Sequence, residues 1–383
     1  MPLKFVVAAD SFKGSLTSAE VADAVADGII GVLPGADVVR LAVADGGEGT
    51  AAALVNLLGG EWVSCKADDP LGRTIDAAYG IVGTDEGKTA LIDMASASGL
   101  TLLADDECDP MATTTIGTGQ MIIDAYRRGC RRFVIGIGGS ATCDGGSGML
   151  TAFGFRFLDG GGRQLAPGGG ELVSLAGIDT SGVMAGLTGC RFTIMCDVGN
   201  PLCGPDGSAR VFGPQKGASP AQVETLDKGL RLYAEIVSRV TGCDVADAPG
   251  AGAAGGLGAA FLAFFDSELK PGVDAVLDLI GFDETVKGAD LVITGEGKID
   301  RQTLFGKLPL GVCRRASAAG VPTVAIAGMV EDSRELLKEG FAGVFPVLSG
   351  PISLDEAMSH DVAAANVAAV AASIANLYNS VKC

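Results

Sequence analysis

Five short apolar runs in this chain each end in a loop rich in glycine and in acidic or hydroxyl side chains. The runs read FVVAADSFKGS (5–15), VVRLAVADGGEGT (38–50), FVIGIGGSATCDGG (133–146), FTIMCDVGNPLCG (192–204) and LVITGEGKIDRQT (291–303). Continuous apolar runs of this length are typical of strands in a parallel sheet that helices cover. In open parallel sheets, ligands bind beyond the carboxyl ends of the strands, where such loops meet. The pattern predicts an α/β protein with a ligand site built from these loops.

Glycine is unusually frequent, with 58 of the 383 residues, about twice its ordinary share. The glycines form clusters without a period, which excludes collagen-like and low-complexity sequences. Alanine, valine, leucine and isoleucine dominate the apolar residues while aromatic residues make up 5% of the chain, a composition that suits parallel sheets. The length favours two domains over a single hydrophobic core.

The order of predicted elements changes twice along the chain. Strands and helices alternate over 5–58, and this alternation returns from about 290 onward, which favours a parallel, doubly wound sheet. The strands predicted at 61–67, 74–82 and 89–94 are separated by tight turns, as in antiparallel hairpins.

From this change we predict two domains of an α/β fold. One is a Rossmann-like parallel-sheet domain made of residues 1–60 plus 286–383. The other is a mixed α/β domain, residues 61–285, inserted into the first.

The charge and cysteine content argue against several classes of protein. The net charge is −18 with no basic stripe, which disfavours partners such as nucleic acids and anionic membranes. No run of 18 apolar residues predicts a membrane span, and the start MPLKFVVAADSFKG does not resemble a signal peptide. Ten cysteines without a CxxC pair and a single histidine, His360, disfavour a zinc site. We expect reduced thiols and a cytoplasmic protein.

Carboxylates stand at the predicted strand ends. They are Asp10, Asp45, Glu48, Asp144, Asp197, Glu296 and Asp300. Clustered carboxylates can hold Mg²⁺ or remove a proton from a substrate hydroxyl. Aspartate and glycine are also ordinary turn residues, so a single loop of this kind would indicate little. Five such loops favour a functional site.

The same loops offer groups that bind anions. The loop after the first strand carries Ser11 and Lys13, and the third loop carries Ser140 and Thr142 together with free backbone N–H groups. Backbone N–H groups in glycine loops bind phosphate oxygens well. Three lysines, Lys13, Lys216 and Lys307, stand next to glycine, a setting that suits a phosphate.

Common nucleotide motifs do not fit. Gly306-Lys307 lacks the first glycine and the Ser/Thr of a P-loop. The GxGxxG over 250–255 does not follow a predicted strand, and GxGxxA over 136–141 follows one but leads into another glycine loop instead of a helix. Both matches argue against a nicotinamide site. The segment 250–255 fits either close helix packing or ligand contact.

The segments AADSFKGS, ADGGEGT, GIGGSATCDGG, GPQKGA, GAAGGLGAA and TGEGKIDRQTLFGKLPLGV occur in this order. Together they make the chain resemble the bacterial glycerate kinases that phosphorylate D-glycerate. The resemblance implies a Rossmann-like domain interrupted by a domain of restriction-endonuclease-like topology, with the site in the cleft between them. It also implies ATP and Mg²⁺ as cofactors, D-glycerate as acceptor and 2-phosphoglycerate, favoured over 3-phosphoglycerate, as product.

Apart from Asp197, the site residues are carried over from the resemblance motif by motif, and we divide them by expected role. Catalytic residues are expected to be Lys13, Asp45, Asp197 and Asp300. Substrate-binding residues are expected to be Asp10, Ser11, Lys216, Glu296 and Lys307. Nucleotide-binding residues are expected to be Gly139, Ser140, Thr142, Asp144 and Thr303. Metal ligands are expected to be Asp45, Asp197 and Glu48. Asp197 lies in a stretch that we expect to vary, and Cys143 stands where the family pattern suggests asparagine.

Two points stay open from the sequence. Asp197 is the first choice for the base that accepts the hydroxyl proton, ahead of Asp300, and this role competes with its role as a metal ligand. The rival functions are an NAD(P)-dependent oxidoreductase acting on a small hydroxy acid and a non-catalytic protein that binds a small anion. We expect a monomer or a homodimer.

Overall fold

The computed structural model describes residues 2–43, 50–84, 87–331 and 333–382. The described residues form thirteen strands: β1 (Lys4–Ala9), β2 (Asp37–Ala42), β3 (Glu61–Asp68), β4 (Thr74–Thr84), β5 (Gly87–Asp93), β6 (Arg132–Gly136), β7 (Arg156–Leu158), β8 (Gly177–Asp179), β9 (Arg191–Met195), β10 (Asp266–Lys270), β11 (Leu291–Ile299), β12 (Thr323–Val330) and β13 (Gly343–Pro346).

The α-helices of the described residues are α1 (Ser18–Val32), α2 (Thr50–Leu57), α3 (Ala95–Ser98), α4 (Ile116–Arg127), α5 (Ser147–Ala152), α6 (Ser208–Phe212), α7 (Pro220–Thr241), α8 (Ala253–Phe264), α9 (Gly272–Leu279), α10 (Phe282–Val286), α11 (Leu308–Ala318), α12 (Ser333–Lys338), α13 (Leu354–Ala357) and α14 (His360–Lys382). Short 3₁₀ segments cover Leu100–Leu102, Asp105–Glu107, Gly169–Ser174, Ala185–Gly189, Pro214–Lys216 and Arg301–Phe305.

The chain divides into two compact units. The first comprises Met1–Gly46 and Val273–Cys383, and the second comprises Gly47–Gly272. The helix α2, which the sequence analysis grouped with the first domain, packs on β4 and β5 of the second unit. The domain limits predicted at 60/61 and 285/286 stay predictions.

The first unit is built on a five-stranded sheet in the order β13-β12-β11-β1-β2, and all its pairings are parallel. The sheet has a core on each face. On β12, Ile326 packs in the core that α1 and α14 cover. Its neighbours Ala325 and Ala327 pack in a separate core with α11 and α12, because successive residues of a strand point to opposite faces. The predicted parallel α/β sheet is confirmed.

Local signals explain how α1 begins and where it packs. The Thr17 hydroxyl accepts from the Glu20 backbone N–H while the Glu20 carboxylate accepts from the Thr17 N–H, which forms a capping box. Val21, Val25 and Ile29 recur at intervals of four residues and are fully buried, so one helix face covers the sheet.

Among the described residues, α14 is long and apolar enough to cross a membrane, judged by length and composition alone. The alanine-rich sequence of 363–377 predicts a helix here, but it is not an unbroken apolar run because asparagine and serine interrupt its alanines and valines. Its buried side chains, among them Val367, Ala371 and Ile374, belong to the core of the first unit. Packing against α1 therefore accounts for the buried part of the helix, which is 28% of the candidate span.

The second unit contains a six-stranded mixed sheet in the order β10-β9-β6-β5-β4-β3. The pairs from β10 to β5 are parallel, and β5, β4 and β3 pair antiparallel, which confirms the predicted hairpins. The edge strand β10 was not predicted because its sequence, DSELK, lacks an apolar run. Polar residues are common on edge strands. The strands β7 and β8 form a separate two-stranded ribbon.

Candidate functional site

The first unit brings predicted site residues together at the carboxyl ends of β1 and β11. Ala9 pairs with Gly295 in these parallel strands, and the Asp10 N–H donates to the Gly295 carbonyl at 2.8 Å. Asp10 therefore lies beside Glu296. The Ser11 N–H donates to Asp10 Oδ1 at 2.6 Å, which fixes the first turn of the loop.

Glu296 is the centre of this group and is 7% exposed. Thr303 Oγ1 donates to Glu296 Oε1 at 2.6 Å, and Lys307 Nζ donates to Oε2 at 3.3 Å. Burial raises the pKa of Glu296, and the bonds from Thr303 and Lys307 oppose that shift, while the nearby Asp10 carboxylate adds to it. A threonine and a lysine thus hold the buried carboxylate from both oxygens.

The two remaining predicted residues of this region stand differently. Lys13 is exposed. A Cβ atom added to Gly297 would lie 3.4 Å from the Lys13 backbone nitrogen, so the loop that carries Lys13 passes next to β11. The Asp300 N–H donates to Thr303 Oγ1 at 3.2 Å, and its carboxylate lies 3.6 Å from Lys298 Nζ. Asp300 thereby shapes the turn that presents Thr303 to Glu296.

Only one of the three predicted metal ligands can be located. Asp45 and Glu48 lie outside the described residues. Asp197 follows β9, is exposed, and accepts from the Gly272 N–H at 3.0 Å. Within the described residues, no group of three or more His, Cys, Asp and Glu side chains could hold a metal ion. The magnesium site stays a prediction.

The second unit brings the other predicted residues together in a loop, here called the glycine loop (137–146), between β6 and α5. Gly139 has a φ of +68°, a conformation that glycine adopts without steric cost. Its carbonyl accepts from the Leu100 N–H, and the Ala141 N–H donates to the Ser98 carbonyl, both at 2.9 Å. No helix starts directly after this loop's first glycines, which agrees with the failed dinucleotide fingerprint.

Lys216 reaches the glycine loop from a different part of the sequence. Its Nζ donates to Ser140 Oγ and to the Thr142 carbonyl, each at 2.7 Å. Lys216 is 2% exposed. Burial lowers the pKa of Lys216, and the neighbouring Cys143 and Asp144 oppose that shift.

Asp144 is fully buried and holds the far end of the glycine loop. Its oxygens accept from the Thr115 N–H at 2.8 Å and Thr115 Oγ1 at 2.9 Å, and from the Gly146 and Gly148 N–H groups at 3.0 and 3.1 Å. Burial raises the pKa of Asp144 while these donors oppose the shift. Because its described partners are all internal, its predicted contact with nucleotide gains no support.

The sequence analysis missed a threonine-rich segment that supports the same loop. Thr113 Oγ1 donates to the Ala141 carbonyl at 2.8 Å, and Thr115 Oγ1 also accepts from the Met149 N–H at 2.9 Å. Both threonines are fully buried. The run ATTTIGTG just before a predicted helix could have drawn attention to them, since buried hydroxyl groups need partners.

The segment 250–256 also packs on the glycine loop. Ala254, Gly255 and Gly256 have φ values of 50°, 71° and 95°, and a side chain at Gly255 would lie 1.9 Å from the Thr142 carbonyl. The Gly255 carbonyl accepts from the Gly145 N–H at 2.9 Å. These contacts favour the close-packing interpretation of this glycine-rich stretch. The element directly before it in the described chain is the helix α7 and not a strand.

The chain is similar to known proteins over nearly its whole length. The model of the glycerate kinase family matches residues 5–379. The chain is 45% identical to the glycerate kinase of Bacillus subtilis (strain 168), with 94% of each protein covered. It is 45% identical to the glycerate 2-kinase of Escherichia coli (strain K12), with 93% of each covered.

A solved structure agrees with the fold as well. A crystal structure from Salmonella typhimurium LT2, provisionally assigned as glycerate kinase 2, has a TM-score of 0.87 and 42% sequence identity and covers the whole of both chains. The sequence match and the structural match both include residues of the two compact units. The chain belongs to the glycerate kinase family.

Proposed function

We propose that this protein transfers the γ-phosphoryl group of ATP to D-glycerate. The observation that carries the proposal is the family match over residues 5–379, which includes every predicted site residue. Relatives that are 45% identical are named glycerate kinase and glycerate 2-kinase. The second name supports 2-phosphoglycerate as the product.

The lysines of the first unit suit the charge that develops during phosphoryl transfer. Such transfer depends on placing the reactants and neutralising charge more than on covalent chemistry. The Lys307 ammonium is held by the buried Glu296 carboxylate at 3.3 Å, yet its side chain is 34% exposed. Lys13 is also exposed and lies three residues after Asp10 in the sequence. We assign both amines to phosphate oxygens or to the glycerate carboxylate.

The glycine loop of the second unit is our candidate for a second anion contact. Gly138 and Gly139 are exposed, and Ser140 lies directly after them. Backbone N–H groups in such loops bind anionic oxygens. Asp144 then serves this site by holding the loop.

The base and the metal ligands are the least constrained part of the proposal. Asp197 remains the first choice for the base and Asp300 the second, and only Asp197 is exposed. Asp45, Glu48 and Asp197 are the proposed ligands of Mg²⁺, which would neutralise charge on the ATP phosphates. Within the described residues, no group of three or more carboxylate, histidine or cysteine side chains could hold this ion. The roles proposed for the other residues therefore do not depend on it.

Further parts of the proposal rest on the family resemblance alone. These are a Rossmann-like and a restriction-endonuclease-like domain, substrates that meet between them, a cytoplasmic location, and a monomeric or homodimeric state. Analytical ultracentrifugation would decide the last of these.

A kinetic assay tests the proposal against both rivals. The protein is mixed with ATP, Mg²⁺ and D-glycerate, and ADP release is followed. We expect ADP release that requires D-glycerate. Oxidation or reduction of a nicotinamide cofactor that depends on glycerate would instead favour the oxidoreductase. Binding of D-glycerate without ADP release would favour the binding protein.

A further inference from the structure

Lys216 is a buried amine whose described partners include no carboxylate. Both of its hydrogen bonds go to neutral oxygens, Ser140 Oγ and the Thr142 carbonyl. An ammonium can donate three hydrogen bonds, and two are made to described partners. The buried Asp144 carboxylate is a charged neighbour of Lys216 but is not among its described hydrogen-bond partners. Lys216 and Ser140 are 76 residues apart in the sequence.

The hydroxyl of Ser140 is left with an unused donor. Because its oxygen accepts from Lys216, the hydroxyl hydrogen is available to another acceptor. The described part of the chain gives Ser140 Oγ no other partner than Lys216. Ser140 is buried, with 7% of its surface exposed, and directly follows the exposed Gly138 and Gly139.

The same loop contains a second unsatisfied hydroxyl. Thr142 Oγ1 is buried and has no partner among the described residues. Buried hydroxyl groups are normally hydrogen-bonded. The stretch from Ser140 to Thr142 therefore carries unused polar groups next to a buried cation, which is the arrangement expected of a site prepared for an anion.

We propose that Ser140 donates its hydroxyl hydrogen to an anionic oxygen of a bound substrate, and that Lys216 is a positioning residue that holds and polarises this hydroxyl without touching the substrate. The inference rests on the proposed function. It replaces the substrate-binding role predicted for Lys216 with a positioning role, and it assigns the direct contact to Ser140, which was predicted to bind the nucleotide. The anionic oxygen belongs to a carboxylate or a phosphate, because both accept such a hydrogen bond in the same way.

A purely structural role for Lys216 is the competing explanation. Lys216 would then only fasten the glycine loop to the 3₁₀ segment Pro214–Lys216. In that case its loss would lower stability, and loss of the Ser140 hydroxyl would leave substrate binding unchanged. The two explanations differ in what the Ser140 variants do.

The first experiment compares S140A, S140T and the control S267A in steady-state kinetics with each substrate varied. Ser267 Oγ is buried like Ser140 Oγ but has no partner among the described residues, and it lies on β10 in the same unit. Loss of one hydrogen bond to a charged group corresponds to a fall of about tenfold to a hundredfold. We expect that fall in kcat/KM for S140A, recovery in S140T, and wild-type values in S267A. A higher KM for D-glycerate would identify the carboxylate, and a higher KM for ATP would identify the phosphate.

The second experiment examines Lys216 with K216M, with K216Q as a milder replacement that keeps a donor, and with each combined with S140A. If Lys216 acts through Ser140, the double variant S140A/K216M loses no more activity than the more damaging of the two single variants. The two effects are then not additive. Fully additive losses, or wild-type kcat/KM in S140A, would overturn the inference while leaving the proposed function intact.

A binding measurement separates this inference from the proposed function. If the wild-type protein shows no turnover, the proposed function fails. Calorimetric titration of D-glycerate and of a non-hydrolysable ATP analogue, which keeps all three phosphates, into wild type and S140A then decides the inference on its own. Weaker binding of one of them to S140A supports it, and equal binding of both overturns it.

Discussion

At the scale of single residues, burial decides what the acidic side chains do. Similar glycine-rich loops follow three of the strands and contain Asp10, Asp144 and Asp197. In the structure Asp197 is exposed and Asp144 is fully buried. A buried carboxylate that accepts several internal hydrogen bonds fixes the backbone around it, whereas an exposed one is available to a ligand.

Replacing Asp144 by alanine should strongly destabilise the protein. The change leaves buried donors from Thr115, Gly146 and Gly148 without their acceptor, and each such group costs about 1–3 kcal/mol. We expect D144A to lower the free energy of unfolding by about 3 kcal/mol or more, measured by urea denaturation.

Asp159 provides the matched control. It also accepts two loop N–H groups, from Gly161 at 2.8 Å and from Arg163 at 3.0 Å, but these bonds are exposed to solvent. D159A should cost about 1 kcal/mol or less. Equal losses in the two variants would show that burial of Asp144 does not matter.

At the scale of elements, backbone conformation and capping place the loops. The stretch Ala254–Gly256 takes three left-handed residues in a row within α8, and this brings it against the glycine loop. A capping box starts α1, and the first residue of α14 lies beside it. These two features give one prediction each.

Replacing Gly255 by alanine should be far more damaging than replacing another left-handed glycine. A side chain at Gly255 would meet the Thr142 carbonyl at 1.9 Å, whereas one at Gly242, which has a φ of +78° and ends α7, would meet nothing within 4 Å. G242A pays only for its backbone conformation, about 1–2 kcal/mol. We expect G255A to lose at least about 3 kcal/mol in urea denaturation, and similar losses in both would contradict the packing described here.

His360 should titrate above its ordinary pKa. Its ring nitrogens lie 3.1 Å from Asp361 Oδ1 and 3.2 Å from Glu20 Oε1. The hydrogen bond with Asp361, followed by that with Glu20, raises the pKa of His360. The stabilising contribution is therefore complete below about pH 6.5 and is lost as the pH rises through the folded-state pKa.

The single histidine makes this measurement simple, because an NMR titration shows one imidazole. We expect a pKa above 6.5 in the wild type and a lower value in E20Q. A wild-type pKa at or below 6.5 would mean that the link between α1 and α14 does not form in solution.

At the scale of the whole molecule, the sequence predicts the elements better than the contacts between distant parts. Parallel strands, hairpins and glycine loops follow from apolar runs and turn residues, and the structure confirms them. The polar strand β10 leaves no such pattern. The contact of Lys216 with Ser140 spans 76 residues, and the burial of Asp144 depends on Thr115, so neither is visible in the local sequence.

The residues of the loops alone leave the function open, and the resemblance to glycerate kinases indicates one. The match to the family model confirms that the chain belongs to this family. The division of the chain into two units explains why the predicted site residues form two groups. Asp10, Glu296, Thr303 and Lys307 meet in one unit, and Ser140, Asp144 and Lys216 meet in the other.

The most direct test of the central claim is the identity of the product. The protein is incubated with ATP, Mg²⁺ and D-glycerate, and the product is examined by ³¹P NMR with coupling to the carbon-bound protons. We predict a phosphate ester on the hydroxyl at carbon 2. A phosphate at carbon 3 would contradict the proposed position, and no glycerate phosphate at all would contradict the proposed function.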